Sequence, residues 1–350
     1  MSASEGSSHH DWLVVGAGVV GLCTALHLAR RKLRVCVIEQ MSQVANASIV
    51  SGAGIRFFDP DPIISAQIVQ SHNFYSELGL ADDFRPCTSY YGFGTAAAEG
   101  LLDRAHASGM RVLSRAQLKA CRPHIEWGAV DYAVEDEHAG FRDPLITWHT
   151  LRAACERLGV VFRFGHQVLA FEDRASVRQL VTQAGRYMAH GVIFATGYWT
   201  PSLLERLGLP HVVRNRTITV HRLAGHNLAH LPFVVEHGSG FHARPTACGE
   251  ILFGLPQPDW DVAPDNLPDR ANAHLDKAVA HLQRYAPAPL SFSGVRTTRS
   301  ADAFASVAPE AQATLPDHTH VFAFGEGAAF KYAPAKSLAY INLIQGSKIC

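Results

Sequence analysis

Four apolar residues, Trp12 to Val15, run without alternation into a glycine-rich turn. An apolar stripe at helical spacing follows, made of Leu22, Ala25, Leu26 and Ala29, and a second apolar run, Val35 to Ile38, closes on Glu39. Two short runs flanking a 3.6-period stripe predict a βαβ unit over residues 11–39. Ile64, Ile68, Phe74 and Leu78 repeat at helical spacing and predict a helix over 62–78. Residues 86–147 read as short strands and polar turns, with a helix at 115–121. A helix over 145–158 precedes strands at 160–162 and 167–171, and the apolar run from 191 ends in Ala195-Thr196-Gly197. Such an ending suits a parallel strand that delivers a tight turn. Residues 212–309 are again β-rich, broken by one helix at 271–285, and a strand at 321–324, a glycine-rich turn and a helix to about 344 complete the chain.

The first turn reads Gly16-x-Gly18-x-x-Gly21, and each glycine has a physical task in holding a dinucleotide. Gly16 permits the tight turn, Gly18 lets backbone N–H groups approach a pyrophosphate, and Gly21 lets the helix lie close to the sheet. The helix N-terminus then favours negative charge. Glu39, 18 residues after Gly21, is placed to accept hydrogen bonds from ribose hydroxyls, and its charge disfavours a 2′-phosphate. Gly52-x-Gly54, Gly92-x-Gly94, Gly238-x-Gly240 and Gly325-x-Gly327 lack the third glycine, so one such motif stands alone. A flavoprotein that also binds NADPH in its own Rossmann domain would usually show two.

The elements group as an α/β protein whose Rossmann-like nucleotide domain is discontinuous, expected at 11–85, 145–210 and 310–350. Residues 86–144 and 211–309 form the expected substrate domain, and 1–10 a disordered lead-in. A length of 350 residues accommodates two domains. Zero formal net charge and the absence of a long basic run argue against nucleic acid or an anionic membrane surface. No apolar run reaches the roughly 18 residues of a membrane span. Seven scattered cysteines without a CxxC pair fit free thiols in a reducing, cytoplasmic setting. The 20 histidines contain no HExxH, so no metal is expected.

Several segments together resemble the sarcosine oxidase and D-amino-acid oxidase superfamily. They are Val14-Val-Gly-Ala-Gly-Val-Val-Gly-Leu22 with Val37-Ile-Glu39, Val168-x-x-Phe171, Val192-Ile-Phe-Ala-Thr-Gly197-Tyr-Trp, and Gly325-x-Gly327-x-x-Phe330-Lys331-Tyr332. Within it the pattern is most like monomeric sarcosine oxidase, N-methyltryptophan oxidase and piperideine-carboxylate oxidase. The resemblance implies FAD, a discontinuous FAD-binding domain and an α+β substrate domain built on an antiparallel sheet. It implies a cofactor set of Gly16, Gly18, Val19, Val20, Gly21, Glu39, Gln40, Ser51, Gly52, Val168, Thr196, Gly197, Gly325, Gly327, Ala328, Ala329, Phe330 and Lys331. The backbone of Val168 would face the adenine. The strand–glycine–helix at 321–332 also makes physical sense there. N–H groups of residues 327–330 would stabilise charge gained at flavin N1 and the C2 carbonyl when hydride reaches N5.

In the family a lysine in Phe-Lys-Phe binds a substrate carboxylate, and Phe330-Lys331-Tyr332 matches it. A solvated lysine at a helix start is the other reading. Arg56 fits either a flavin or substrate contact or a structural ion pair. Arg214, Arg216, His221 and Tyr91 are weaker candidates. The segment Gly294-Val-Arg-Thr-Thr-Arg-Ser300 lacks the family's tethering cysteine, and no histidine follows the second strand in 45–54, so FAD is expected to be non-covalent. Glu250-Ile-Leu-Phe-Gly254 lacks the family's oxygen-activating lysine, which leaves oxidase and dehydrogenase both open. The expected reaction is oxidation of the C–N bond of an amino acid or related secondary, N-methyl or cyclic amine, by hydride transfer to flavin N5. Electrons would pass to O2, giving H2O2, or to another acceptor. A 2-hydroxy-acid dehydrogenase and a catalytically idle flavin-binding subunit are the alternatives. A monomer or small homo-oligomer is expected.

Overall fold

The computed structural model describes residues 9–43, 47–174, 176–225, 231–286, 289–305, 315–324 and 327–346. The first unit is β1 (His9–Val15), α1 (Val19–Arg30) and β2 (Val35–Glu39). β1 pairs in parallel with β2, Val14 opposite Val37, and with the strand Gly185–Phe194, Val14 opposite Ile193. Flanked on both edges and covered on both faces, Leu13 and Val14 are wholly buried. This is why β1 is a continuous apolar run and not an alternating one. The strand begins two residues inside the stretch expected to be disordered. His9 and His10 pair with Met188 and Ala189, and that ladder orders them. Residues 1–8 lie outside the described residues.

The remaining strands of this seven-stranded sheet are Val161–Phe164 beside β2, the hairpin Val168–Arg174 and Val177–Thr182, and Thr319–Val321, parallel to Gly185–Phe194. The helix Pro144–Arg157 packs on α1, and its Trp148 Nε1 donates to Ala17 O at 2.7 Å, fixing the glycine turn from outside. Asp143 starts that helix by accepting from Leu145 N and Ile146 N at 2.8 and 3.0 Å. Asp143→Ala is expected to lower stability by about 1 kcal/mol in urea unfolding, the usual cost of a lost N-cap.

The second sheet has eight strands, in the order 296–305, 213–224, 250–254, 242–245, 233–236, 89–93, 132–136 and 111–114. Neighbours are antiparallel except for one pair: Phe233–Glu236 runs parallel to Ser89–Phe93. The two members come from separate stretches of chain, so no hairpin dictates their relative direction. The helix Ala271–Tyr285 covers this sheet, burying Ala278, Leu282 and Tyr285 against Trp127, Phe241 and Phe253. A small three-stranded sheet, Gly54–Ile55, Gly140–Phe141 and Arg85–Pro86, lies beside the two larger ones. The C-terminal helix Ala329–Gly346 packs on α1 and on the helix Pro62–Tyr75. Its Pro334 carbonyl is bonded to the buried His27 Nε2 at 2.9 Å.

Candidate active site

A cavity of about 630 Å³ opens at the carboxyl ends of β1, β2 and Gly185–Phe194, the place where open parallel sheets take their ligands. Gly16, Gly18, Val19 and Val20 form one wall, Glu39, Gln40 and Val168 a second, and Thr196, Gly197 and Ala329 a third. Gly16 has φ +102°, and a Cβ there would stand 2.4 Å from Ala195 O. A Cβ on Gly21 would stand 2.0 Å from Gly16 O. Gly18 is the N-cap of α1 and brings no side chain of its own, while Ser48 Oγ accepts from Val19 N at 3.0 Å. The helix end therefore faces the cavity with backbone donors.

Glu39 holds the turn from below, accepting from Ala17 N at 2.8 Å and Met41 N at 3.0 Å. The Val168 carbonyl accepts from Arg206 Nη2 at 3.0 Å, beside a register shift in its strand. Thr196 Oγ1 lies 2.9 Å from Thr200 Oγ1, and Gly197 turns the chain at φ +54°.

A second cavity, about 370 Å³, lies against the eight-stranded sheet, closed by the segment 47–56 and the start of the C-terminal helix, and Ala47 and Asp302 border both spaces. Ser51, Gly52, Arg56, Gly327, Ala328, Phe330 and Lys331 line it, while Ala329 borders the first cavity. Gly325 lies outside the described residues. The Gly327 N–H, expected to face a bound group, instead donates to the Asp302 carboxylate. That carboxylate sits at the start of the C-terminal helix, where negative charge is favoured.

Lys331 is buried, and its Nζ lies 3.1 Å from Asp59 Oδ2, so an acidic side chain already offsets its charge. Arg56 differs. Its Nη1 is buried without a hydrogen-bond partner, and its guanidinium lies over the rings of Tyr91 and Phe233, 5.2 and 6.0 Å from their centroids. Burial lowers its pKa, partly opposed by Asp59 and the other acids around it.

Two cavity residues escape the sequence reading, His242 and Arg244. Both sit on the strand His242–Pro245, two positions apart and so on one face, and that alternation was the available signal. Burial pushes His242 down to about 4, leaving it neutral near pH 7 and unable to pair with an anion. Among the weaker candidates Arg216 borders the cavity, with Nε bonded to Gln257 O. Arg214 is exposed and paired with Asp261, and His221 is buried between Thr297 and His274. Tyr91 bonds His237 at 2.6 Å through its hydroxyl. Among the described residues no cluster of His, Cys, Asp and Glu could hold a metal, and no helix is long and apolar enough to cross a membrane.

Residues 11–341 match the sequence profile of the DAO family, described as FAD dependent oxidoreductase. The chain belongs to this family. It is 26% identical to a glycine oxidase of Pseudomonas aeruginosa over 77% of each chain. It is 24% identical to the human peroxisomal sarcosine oxidase over 60% of its own length and 56% of that protein. In fold it resembles the L-proline dehydrogenase of P. horikoshii, with a TM-score of 0.79 at 18% identity over 97% of this chain and 94% of the other.

This DAO-family chain is thus an FAD-dependent oxidoreductase, and its cavities suit the cofactor. The bare glycine turn could receive the pyrophosphate, Glu39 the ribose, and the inner cavity the isoalloxazine ring with space beside it. The combined space falls within the range of ligand pockets, whose volumes run from about 300 to 1,000 Å³.

Proposed function

We propose that the chain oxidises the C–N bond of an amino acid or a related secondary, N-methyl or cyclic amine. The observation that carries this is Arg56, a buried guanidinium with an unpartnered nitrogen in the inner cavity, beside the Lys331–Asp59 pair. A buried donor without a partner is costly, and a substrate carboxylate is the natural group to meet it. Lys331, held by Asp59, would lend a second donor to the same carboxylate. The relatives named for glycine and sarcosine support a small amino-acid substrate.

Bound FAD supplies, at its N5, the acceptor for the two electrons of the substrate C–H bond. The protein's part is orientation: a carboxylate fixed by Arg56 presents the carbon that bears nitrogen to one side of the cavity. The amine must be neutral for its lone pair to assist, so turnover should rise with pH as the bound amine loses its proton. We hold the FAD to be non-covalent, since none of the six described cysteines borders either cavity.

The test begins with acid precipitation of the purified yellow protein. Colour should pass into the supernatant, and colour kept in the pellet would sink the non-covalent reading. Anaerobic titration with a panel of amino acids, N-methyl amino acids and cyclic amines should then bleach the flavin band. Bleaching by 2-hydroxy acids alone would move the reaction to a C–O bond, and bleaching by nothing would leave an idle subunit. Re-oxidation in air, with peroxide measured, separates O2 from another acceptor.

A further inference from the structure

We propose that Arg244 is the fixed positive charge that stabilises reduced FAD in this chain, an assignment that rests on the reading just given. The residue stands opposite Leu252 in the second sheet, and its guanidinium lies under the Phe141 ring, 4.7 Å from the centroid. It is 5% exposed. Only Nη1 is bonded, to Pro245 O at 2.6 Å, and no described carboxylate pairs with it. Burial brings its pKa down to about 9, with Arg222 adding to the effect, so it stays charged near neutral pH.

The free edge of the guanidinium meets the loop 51–54. A Cβ on Gly52 would stand 2.7 Å from Nη2 and 2.9 Å from Nε, and one on Gly54 3.4 Å from Cδ. The loop that borders the inner cavity therefore lacks side chains where this cation lies. A buried charge kept without a counter-ion is costly unless a bound group offsets it. Four cations border the cavity, and Arg216 is held at the Gln257 carbonyl with its guanidinium over the Trp260 ring. Lys331 has Asp59, and Arg56 takes the substrate carboxylate. In the reaction the C–H bond breaks, its two electrons and the hydrogen pass to the flavin, and the nitrogen lone pair forms the C=N bond. The imine nitrogen gains a positive charge and the flavin a negative one. Arg244 is the remaining cation, packed against the 51–54 loop at the border of the cavity.

The experiment uses FAD-loaded wild type, R244M and R244K. Two properties are read: sulfite affinity, from loss of the flavin band as its anionic adduct forms, and the flavin midpoint potential against a reference dye. R244M should bind sulfite at least tenfold more weakly, and a matching tenfold change in the reduction equilibrium is about 30 mV toward lower potential. R244K should stay within threefold of wild type. Unchanged affinity and potential in FAD-loaded R244M would overturn the assignment, as would an R244K as impaired as R244M. Should R244M hold no FAD, R244Q, which can still bond the Pro245 carbonyl, gives the same two readings. A wild-type chain that takes up no FAD would overturn the reading of the cavities, and with it the role of Arg244.

Discussion

Gly21→Val should cost the chain most of its affinity for FAD. The position has no room even for a methyl group, since a Cβ would stand 2.0 Å from the Gly16 carbonyl oxygen, which is backbone and cannot swing aside. Relief would require α1 to lift from β1, which pulls the helix N-terminus away from the cavity and opens the turn that Gly16 and Glu39 hold. An affinity loss of at least about 100-fold is expected, or about 2.8 kcal/mol at 1.4 kcal/mol per tenfold. Fluorescence titration of the apoprotein with FAD measures it. Gly100→Ala is the matched control, for nothing lies within 4 Å of its Cβ and it sits in the helix Ala98–Ala107. That variant should bind FAD normally and gain up to about 1 kcal/mol in stability. A Gly21→Val chain that stays yellow would refute the cradle.

Arg56→Met should separate function from stability. If Arg56 holds the substrate carboxylate, kcat/KM for the best substrate of the panel falls roughly 100-fold, about 2.7 kcal/mol, mostly through KM. Folding should not suffer. Nη1 has no hydrogen-bond partner to lose, Asp59 keeps its pair with Lys331, and an apolar chain of similar length still packs against the Tyr91 and Phe233 rings. The expected signature is therefore a urea midpoint that holds or rises while KM climbs. A structural arginine would give the reverse, a chain destabilised by 2 kcal/mol or more with unchanged KM. Arg56→Lys, which keeps the charge but not the planar fork, should fall between wild type and methionine.

The nucleotide half of the molecule was legible because its signals are local. The strand, turn, helix and acid of residues 11–39 lie in order, and their periods differ enough to be told apart. The helix at 271–285 was readable for the same reason, down to its ends. What could not be read is long-range. Asp59 meets Lys331 across 272 positions, and Asp302 meets the Gly327 N–H across 25, with no periodicity announcing either. His242 and Arg244 went unread, for strand alternation can put two residues on one face but cannot say what that face meets. The sheet expected to be antiparallel contains a parallel pair because strand direction there depends on how two distant excursions dock. Composition is equally silent on Arg56: whether a guanidinium is paired or orphaned is a property of the cavity.

The parallel pairing of Ser89–Phe93 with Phe233–Glu236, like that of β1 with Gly185–Phe194, has a consequence for how the chain comes into being. Each layer waits for a segment made well over a hundred residues later, so loop closure precedes any reward from pairing and folding should be slow. A chain emerging from the ribosome carries β1 and the Ser89–Phe93 strand with open edges for much of its synthesis. Such edges template aggregation, which makes chaperone supply and low expression temperature the variables that should govern soluble yield.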